Sequence, residues 1–190
     1  MQKIYVISIF LFSLSFMQGQ QSPAEKFWTK LQGHCGEAYR GTITTENPGE
    51  DFAGKELIMH VRSCDKDSIK IPFFVGEDKS RTWVLSFEED KIKLKHDHRH
   101  ADGTEDKVTQ YGGIASNTGL EDLQVFPADM ETAELLPAAA SNVWFIGLDE
   151  DSFTYNLKRI GSNTSFSVEF DLSEPVEDPG APWGWEEDKK

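Results

Sequence analysis

The sequence predicts an all-β fold: a single antiparallel barrel of about ten strands, with a short N-terminal helix and a short helical insert near 129–136. Three observations carry this expectation. First, short alternating runs fill the chain, from "EAYRGTITTE", "KELIMHVRSC" and "SIKIPFFVG" through "SRTWVLSFEE" and "DKIKLKHDHRH" to "NVWFIGLDE", "SFTYNLKRIG" and "TSFSVEFDLS". Second, turn signals such as "DKDS", "GEDK", "ADGT", "DEDS" and "GSN" separate them, so neighbouring strands are antiparallel. Third, one strand carries polar residues on its inward side. A sandwich buries almost only apolar residues between its sheets, whereas a barrel around a cavity tolerates polar ones.

At the N-terminus, "MQKIYVISIFLFSLSFMQGQQ" has one Lys, an uncharged run from Ile4 to Met17, then small and polar residues. It reads as a secretory signal peptide cut near Gly19, with an apolar run short of the roughly 20 residues a membrane helix needs. The chain therefore divides into a signal (1–20), a barrel (21–173) and an acidic tail (174–190). "SPAEKFWTKLQG" predicts the helix: Ser22 as N-cap, Pro23 in the first turn, Gly33 as C-cap, and a stripe of Phe27, Trp28 and Leu31. Cys35 and Cys64 are the two cysteines. In an exported chain they are expected to form one disulfide.

In "KELIMHVRSC", Leu57, Met59 and Val61 share one face and Ile58, His60, Arg62 and Cys64 the other. With the apolar face in the core, His60 and Arg62 lie outside. A polar cavity would instead bring them in and make Arg62 a carboxylate anchor. The next strand holds three of the five histidines. Its odd positions, Lys91, Lys93, Lys95, Asp97 and Arg99, are wholly charged and are expected to face solvent. His96, His98 and His100 then continue inward the face begun by Ile92 and Leu94. Asp102-Gly103 predicts a two-residue type I′ turn. That turn would set His100 opposite Glu105, His98 opposite Lys107 and His96 opposite Thr109; a three-residue turn would shift this register by one and leave the inward histidines unaffected. The candidate ligand-binding residues are therefore His96, His98, His100, Glu105, Lys107 and Tyr111.

Three readings of the histidine strand stay open: a metal site, a polar pocket wall, and structural histidines at a barrel rim. Imidazole suits zinc or copper, but residues i and i+4 of a strand lie about 13 Å apart. One ion can take at most two of the three, such as His96 and His98, plus a ligand from Glu105, His60 or His34. Asp129 is a plausible N-cap for the insert "ADMETAELLPAAAS", and Pro137 its stop. The tail "EPVEDPGAPWGWEEDKK" is rich in Pro, Gly and acids and is expected to be extended or disordered. Asn163-Thr164-Ser165 fits a glycosylation sequon, which matters only in a eukaryotic secretory pathway.

Composition narrows the function. A net charge of −14 repels phosphate backbones and anionic membrane surfaces. No nucleophile elbow, P-loop, dinucleotide fingerprint or HExxH is present, so a serine hydrolase is unsupported. A short helix followed by ten antiparallel strands resembles the calycin architecture of lipocalins and fatty-acid-binding proteins, which implies a central pocket. The strings "MHVRSC", "IPFFVGEDKSRTWVL", "LKHDHRHADG", "YGG", "FPAD", "NVWF" and "VEFDLSEP" resemble a family of secreted bacterial proteins of uncharacterised function. That resemblance runs from about Phe27 to Pro175 and implies export from a bacterium, without catalytic residues to carry over. The leading expectation is an exported, monomeric, non-enzymatic protein holding an apolar or anionic small molecule in its barrel. A zinc- or copper-dependent protein is the second reading, and an envelope or surface interaction protein with the Trp-containing tail as its handle is the third.

Overall fold

The computed structural model describes residues 20–185. The signal and its cleavage position, expected within 1–20, thus lie outside the described residues except for Gln20, as does the tail beyond 185. The chain folds into helix α1 (Pro23–Gln32), strands β1 (Ala38–Ile43), β2 (Leu57–His60), β3 (Ser63–Cys64), β4 (Ser68–Val75), β5 (Asp78–Glu88), β6 (Lys91–His98), β7 (Tyr111–Ile114) and β8 (Leu123–Pro127), helix α2 (Met130–Leu135), a 3₁₀ turn (Pro137–Ala139), and strands β9 (Asn142–Leu148), β10 (Ser152–Arg159) and β11 (Ser165–Val176).

Ten strands run in the order β7-β6-β5-β4-β2-β1-β11-β10-β9-β8, every pair antiparallel, with β3 an extra pairing on β4. The barrel is nearly closed, as its alternating strands predict. Its seam, between β7 and β8, is sealed without a ladder. The Asp129 amide donates to the Gly112 carbonyl (3.0 Å). The Thr132 hydroxyl accepts from the Gly112 amide (2.7 Å) and donates to its carbonyl (2.8 Å). This explains "YGG": a Cβ on Gly113 would lie 1.8 Å from the Pro127 carbonyl oxygen, so only glycine lets the seam close.

Helix α1 plugs one end. Ser22 and Glu25 form a capping box, and Ala24, Phe27, Trp28 and Leu31 are buried. Trp28 packs on Phe87 (ring centroids 5.6 Å apart), and its indole N–H donates to the Lys66 carbonyl (3.1 Å). Lys30 reaches across to the Leu148 carbonyl (3.0 Å). Gly33 is the C-cap, as expected, in right-handed conformation, and the chain turns left-handed three residues later at Gly36 (φ 92°). The disulfide joins Cys35, just past the helix, to Cys64 of β3. Helix α2 starts where expected: the Asp129 carboxylate accepts from the Thr132 amide (2.8 Å).

The hairpin after β6 corrects the expected register. His100 to Gly103 close a turn (Gly103 amide to His100 carbonyl, 2.9 Å), the His100 amide bonds the Thr104 carbonyl (2.8 Å), and Gly103 is left-handed (φ 84°). That is a three-residue loop ending in a glycine bulge, not the two-residue type I′ turn. It pairs Arg99 with Glu105. Further along, the returning chain slips again, so that His96 faces Tyr111 rather than Thr109.

The tail and the charged face correct a second expectation. Instead of facing solvent, Asp97 is 1% exposed, and His60 and Arg62, outside the barrel on β2 and just beyond it, are 4% and 3% exposed. The cause is residues 178–185, which lie as a strap across the outer face of the sheet. Arg62 donates to the Gly180 carbonyl (3.1 Å) and the Trp183 amide to the Lys79 carbonyl (3.1 Å). The Trp185 indole donates to Asp97 (2.8 Å) and lies under the Lys70 ammonium (3.8 Å) and the Arg99 guanidinium (4.4 Å). A carboxylate in this dry spot is tolerated because Arg99 (2.7 Å) and Gln110 (2.7 Å) also donate to it. Trp185→Ala removes one charge-assisted hydrogen bond and two cation–π contacts. It is expected to lower stability by about 1–2 kcal/mol, read as a lower urea midpoint. An unchanged midpoint would mean the strap contributes nothing.

Candidate functional site

The end of the barrel opposite α1 stays open. Core residues Leu85, Ile92 and Leu94 fill the helix end. Above them the strands' inward residues enclose a cavity of about 530 Å³. Two successive tiers line it. In the deeper tier His96 of β6 pairs with Trp83 of β5, facing Tyr155 of β10 and Trp144 of β9. In the upper tier His98 pairs with Arg81 of β5, and Asn142 of β9 pairs with Arg159 of β10. Phe52, Leu157 and Phe166 complete the apolar walls.

The deep tier is rigid, aromatic and neutral. Trp83 stacks on Tyr155 (centroids 4.3 Å apart) and His96 on Tyr111 (4.6 Å). One His96 nitrogen, Nδ1, contacts the Tyr111 carbonyl (3.0 Å), which can only accept, so Nδ1 carries the proton. Nε2 must then accept, and the Tyr155 hydroxyl donates to it (2.6 Å). Burial disfavours the imidazolium and drives the His96 pKa down to about 3. The same desolvation raises Tyr155 well above the phenol range and Tyr111 to about 12. His98 shares a hydrogen bond with the Tyr111 hydroxyl (3.0 Å). Its pKa is lowered, by burial first and then by the nearby Arg81 cation. At neutral pH both imidazoles and both phenols are uncharged.

Among the described residues lining the cavity, charge appears only in the upper tier. Arg81 is ion-paired to Asp78, and its guanidinium lies over the Phe52 ring (5.4 Å). Arg159 donates through Nε to the Asn142 side-chain oxygen (2.9 Å).

The fold thus brings His96, His98 and Tyr111 together in one wall. His100, Glu105 and Lys107 are not in it: all three are exposed on the hairpin, outside the cavity lining, and the expectation that they face inward is corrected. Beyond His98 the strand leaves its ladder for the bulged loop, so the inward alternation stops one histidine short. Among the described residues, no three His, Cys, Asp or Glu side chains are grouped to hold a metal ion. His34 bonds Tyr39 (2.8 Å) next to the helix plug, and His60 sits under the strap, so neither supplies the third ligand that His96 and His98 would need. In addition, both His96 nitrogens already have hydrogen-bond partners.

Trp83, Trp144, Tyr155, Arg81 and Arg159 were not among the expected site residues. The signal for Arg159 is legible: Phe153, Tyr155, Leu157 and Arg159 share one face of β10 and grade from apolar to polar toward its end, as Leu94 to His98 do on β6. Comparison with protein-family models, curated proteins and solved structures finds no match for the chain.

Proposed function

We propose that the protein is an exported carrier or sensor that binds a small, mostly apolar molecule in the open half of the barrel, in the manner the calycin resemblance implies. The cavity carries this reading. Its volume is that of a drug-sized ligand pocket, and its lining joins a few convergent polar groups to aromatic walls. Export is supported by the apolar leader and by the Cys35–Cys64 disulfide. No helix among the described residues is long and apolar enough to cross a membrane. Against the tail-mediated interaction reading, Trp185 is engaged on the barrel itself.

Leu157 sits halfway up the cavity wall, partly exposed to it. Leu157→Trp fills that space. The neutral fluorophore N-phenyl-1-naphthylamine is expected to bind the native protein at one site and to bind Leu157→Trp at least tenfold more weakly, a difference of about 1.4 kcal/mol. No fluorescence enhancement with the native protein, or equal affinity in a folded Leu157→Trp variant, would remove the basis of this proposal.

A further inference from the structure

Resting on that binding reading, we infer that the ligand is a monoanion: an apolar, aromatic-sized body with one carboxylate- or sulfonate-like group seated at the cavity mouth on Arg159. The first observation is the distribution of charge. The chain has 33 acidic and 19 basic residues, yet among the described residues the cavity lining holds two arginines, no lysine and no carboxylate. For so acidic a protein, a wall free of Asp and Glu is selective.

The second observation separates the two arginines. Arg81 is neutralised by Asp78 and fixed over Phe52. Arg159 makes no ion pair among the described residues; its one side-chain hydrogen bond runs from Nε to Asn142. That bond anchors the guanidinium at its inner nitrogen and leaves the two terminal NH₂ groups as a free fork, the geometry that takes an oxyanion with two parallel bonds. Asn142 uses its oxygen on Arg159, so its amide NH₂ remains a further donor. Thr164 and Ser165 line the same edge with hydroxyls. One unbalanced positive charge calls for one negative charge.

The third observation sets the orientation. The deep tier has no cation to offer: His96 donates to a carbonyl and accepts from Tyr155, and its stacking partners are aromatic. An anion there would be desolvated without a countercharge. The apolar body therefore points down to Trp83 and Trp144, and the anionic group stays at the half-open mouth with Arg159.

Two probes of one skeleton test this. The monoanion 1-anilinonaphthalene-8-sulfonate differs from N-phenyl-1-naphthylamine by its sulfonate alone. In the full mature protein the two are expected to displace one another at a single site. Arg159→Met is expected to weaken the sulfonate at least tenfold and to leave the neutral probe within twofold, with Arg159→Lys falling between. Added salt is expected to reproduce the split. If Arg159→Met leaves both affinities unchanged, or lowers both together, the assignment of an anion seat to Arg159 is wrong while ligand binding stands. If the native protein takes up neither probe, the binding reading itself fails. Retained binding of the neutral probe also reports that the variant is folded.

Discussion

Between pH 7 and pH 4.5 the protein is expected to lose about 3 kcal/mol of stability through His96 alone, and His96→Gln is expected to abolish that share. In the folded state His96 is held near a pKa of 3, whereas the free side chain titrates at 6.5. Between those values the unfolded chain binds one proton more than the folded one. Stability therefore falls as pH falls, by about 1.4 kcal/mol per unit once the free imidazole is fully protonated, and is fully present only above 6.5. His34 and His98 are also lowered and act with the same sign. The lowered carboxylates, Asp78 and Asp129 among the partly buried ones, lose their contribution only further down, as pH falls below the ordinary carboxylate range toward their folded values. Urea unfolding at half-unit steps from 7.5 to 4.5 separates the two groups. Glutamine removes the titration while keeping a donor and an acceptor, so its absolute stability at pH 7 is secondary. The slope is decisive, and equal slopes for the native protein and the variant would show that the buried neutral imidazole is not the source.

Reduction of the Cys35–Cys64 bond is expected to lower stability by about 3.5 kcal/mol, the chain-entropy value for a loop of this length. The bond spans 29 positions. Cys35 is exposed and Cys64 only partly buried, so replacing both by serine opens no core cavity. The loss then reports the cross-link rather than packing. What the cross-link holds is specific: it ties the end of α1, whose Phe27, Trp28 and Leu31 plug the barrel, to β3 beside β4. The double-serine variant is expected to show a lower urea midpoint with a similar core and faster amide exchange in α1 than in β9 and β10. Uniform exchange across all elements would mean that the helix is held by its apolar face alone.

Legibility followed the range of the interactions. The strands were readable because alternation is a local property of successive residues. So were Ser22 and Asp129, whose capping partners lie three residues away. The same parity, carried forward from Ile92 and Leu94, puts His96 and His98 on the inner wall. At His100 the parity breaks, because it holds only while the ladder does. Which turn "HADGT" adopts depends on where the return strand can pair, and that was set at the seam, where Gly112 and Gly113 admit Thr132 and Pro127.

Asp97 shows the other kind of failure. Flanked by Lys95 and Arg99, it belongs to a charged face, and no local pattern marks it as buried. It is buried because Trp185, 88 residues away, lies on it. The tail's composition, rich in proline, glycine and acid, predicts no secondary structure, and among the described residues there is none after Val176. Lack of secondary structure did not imply lack of order. The sheet's own cations, Arg62, Lys70 and Arg99, gave the strap something to dock on.

By itself the sequence determined an antiparallel barrel with a helical plug, which cysteines pair, and which face two of the histidines take, since short-range periodicity and capping specify those. Tertiary structure alone decided that a cavity remains, that its floor is neutral, and that Arg159 stands at its mouth with no carboxylate beside it among the described residues. Each of those depends on residues from different strands meeting across the barrel, and the desolvation that silences His96 exists only once the aromatic walls close around it.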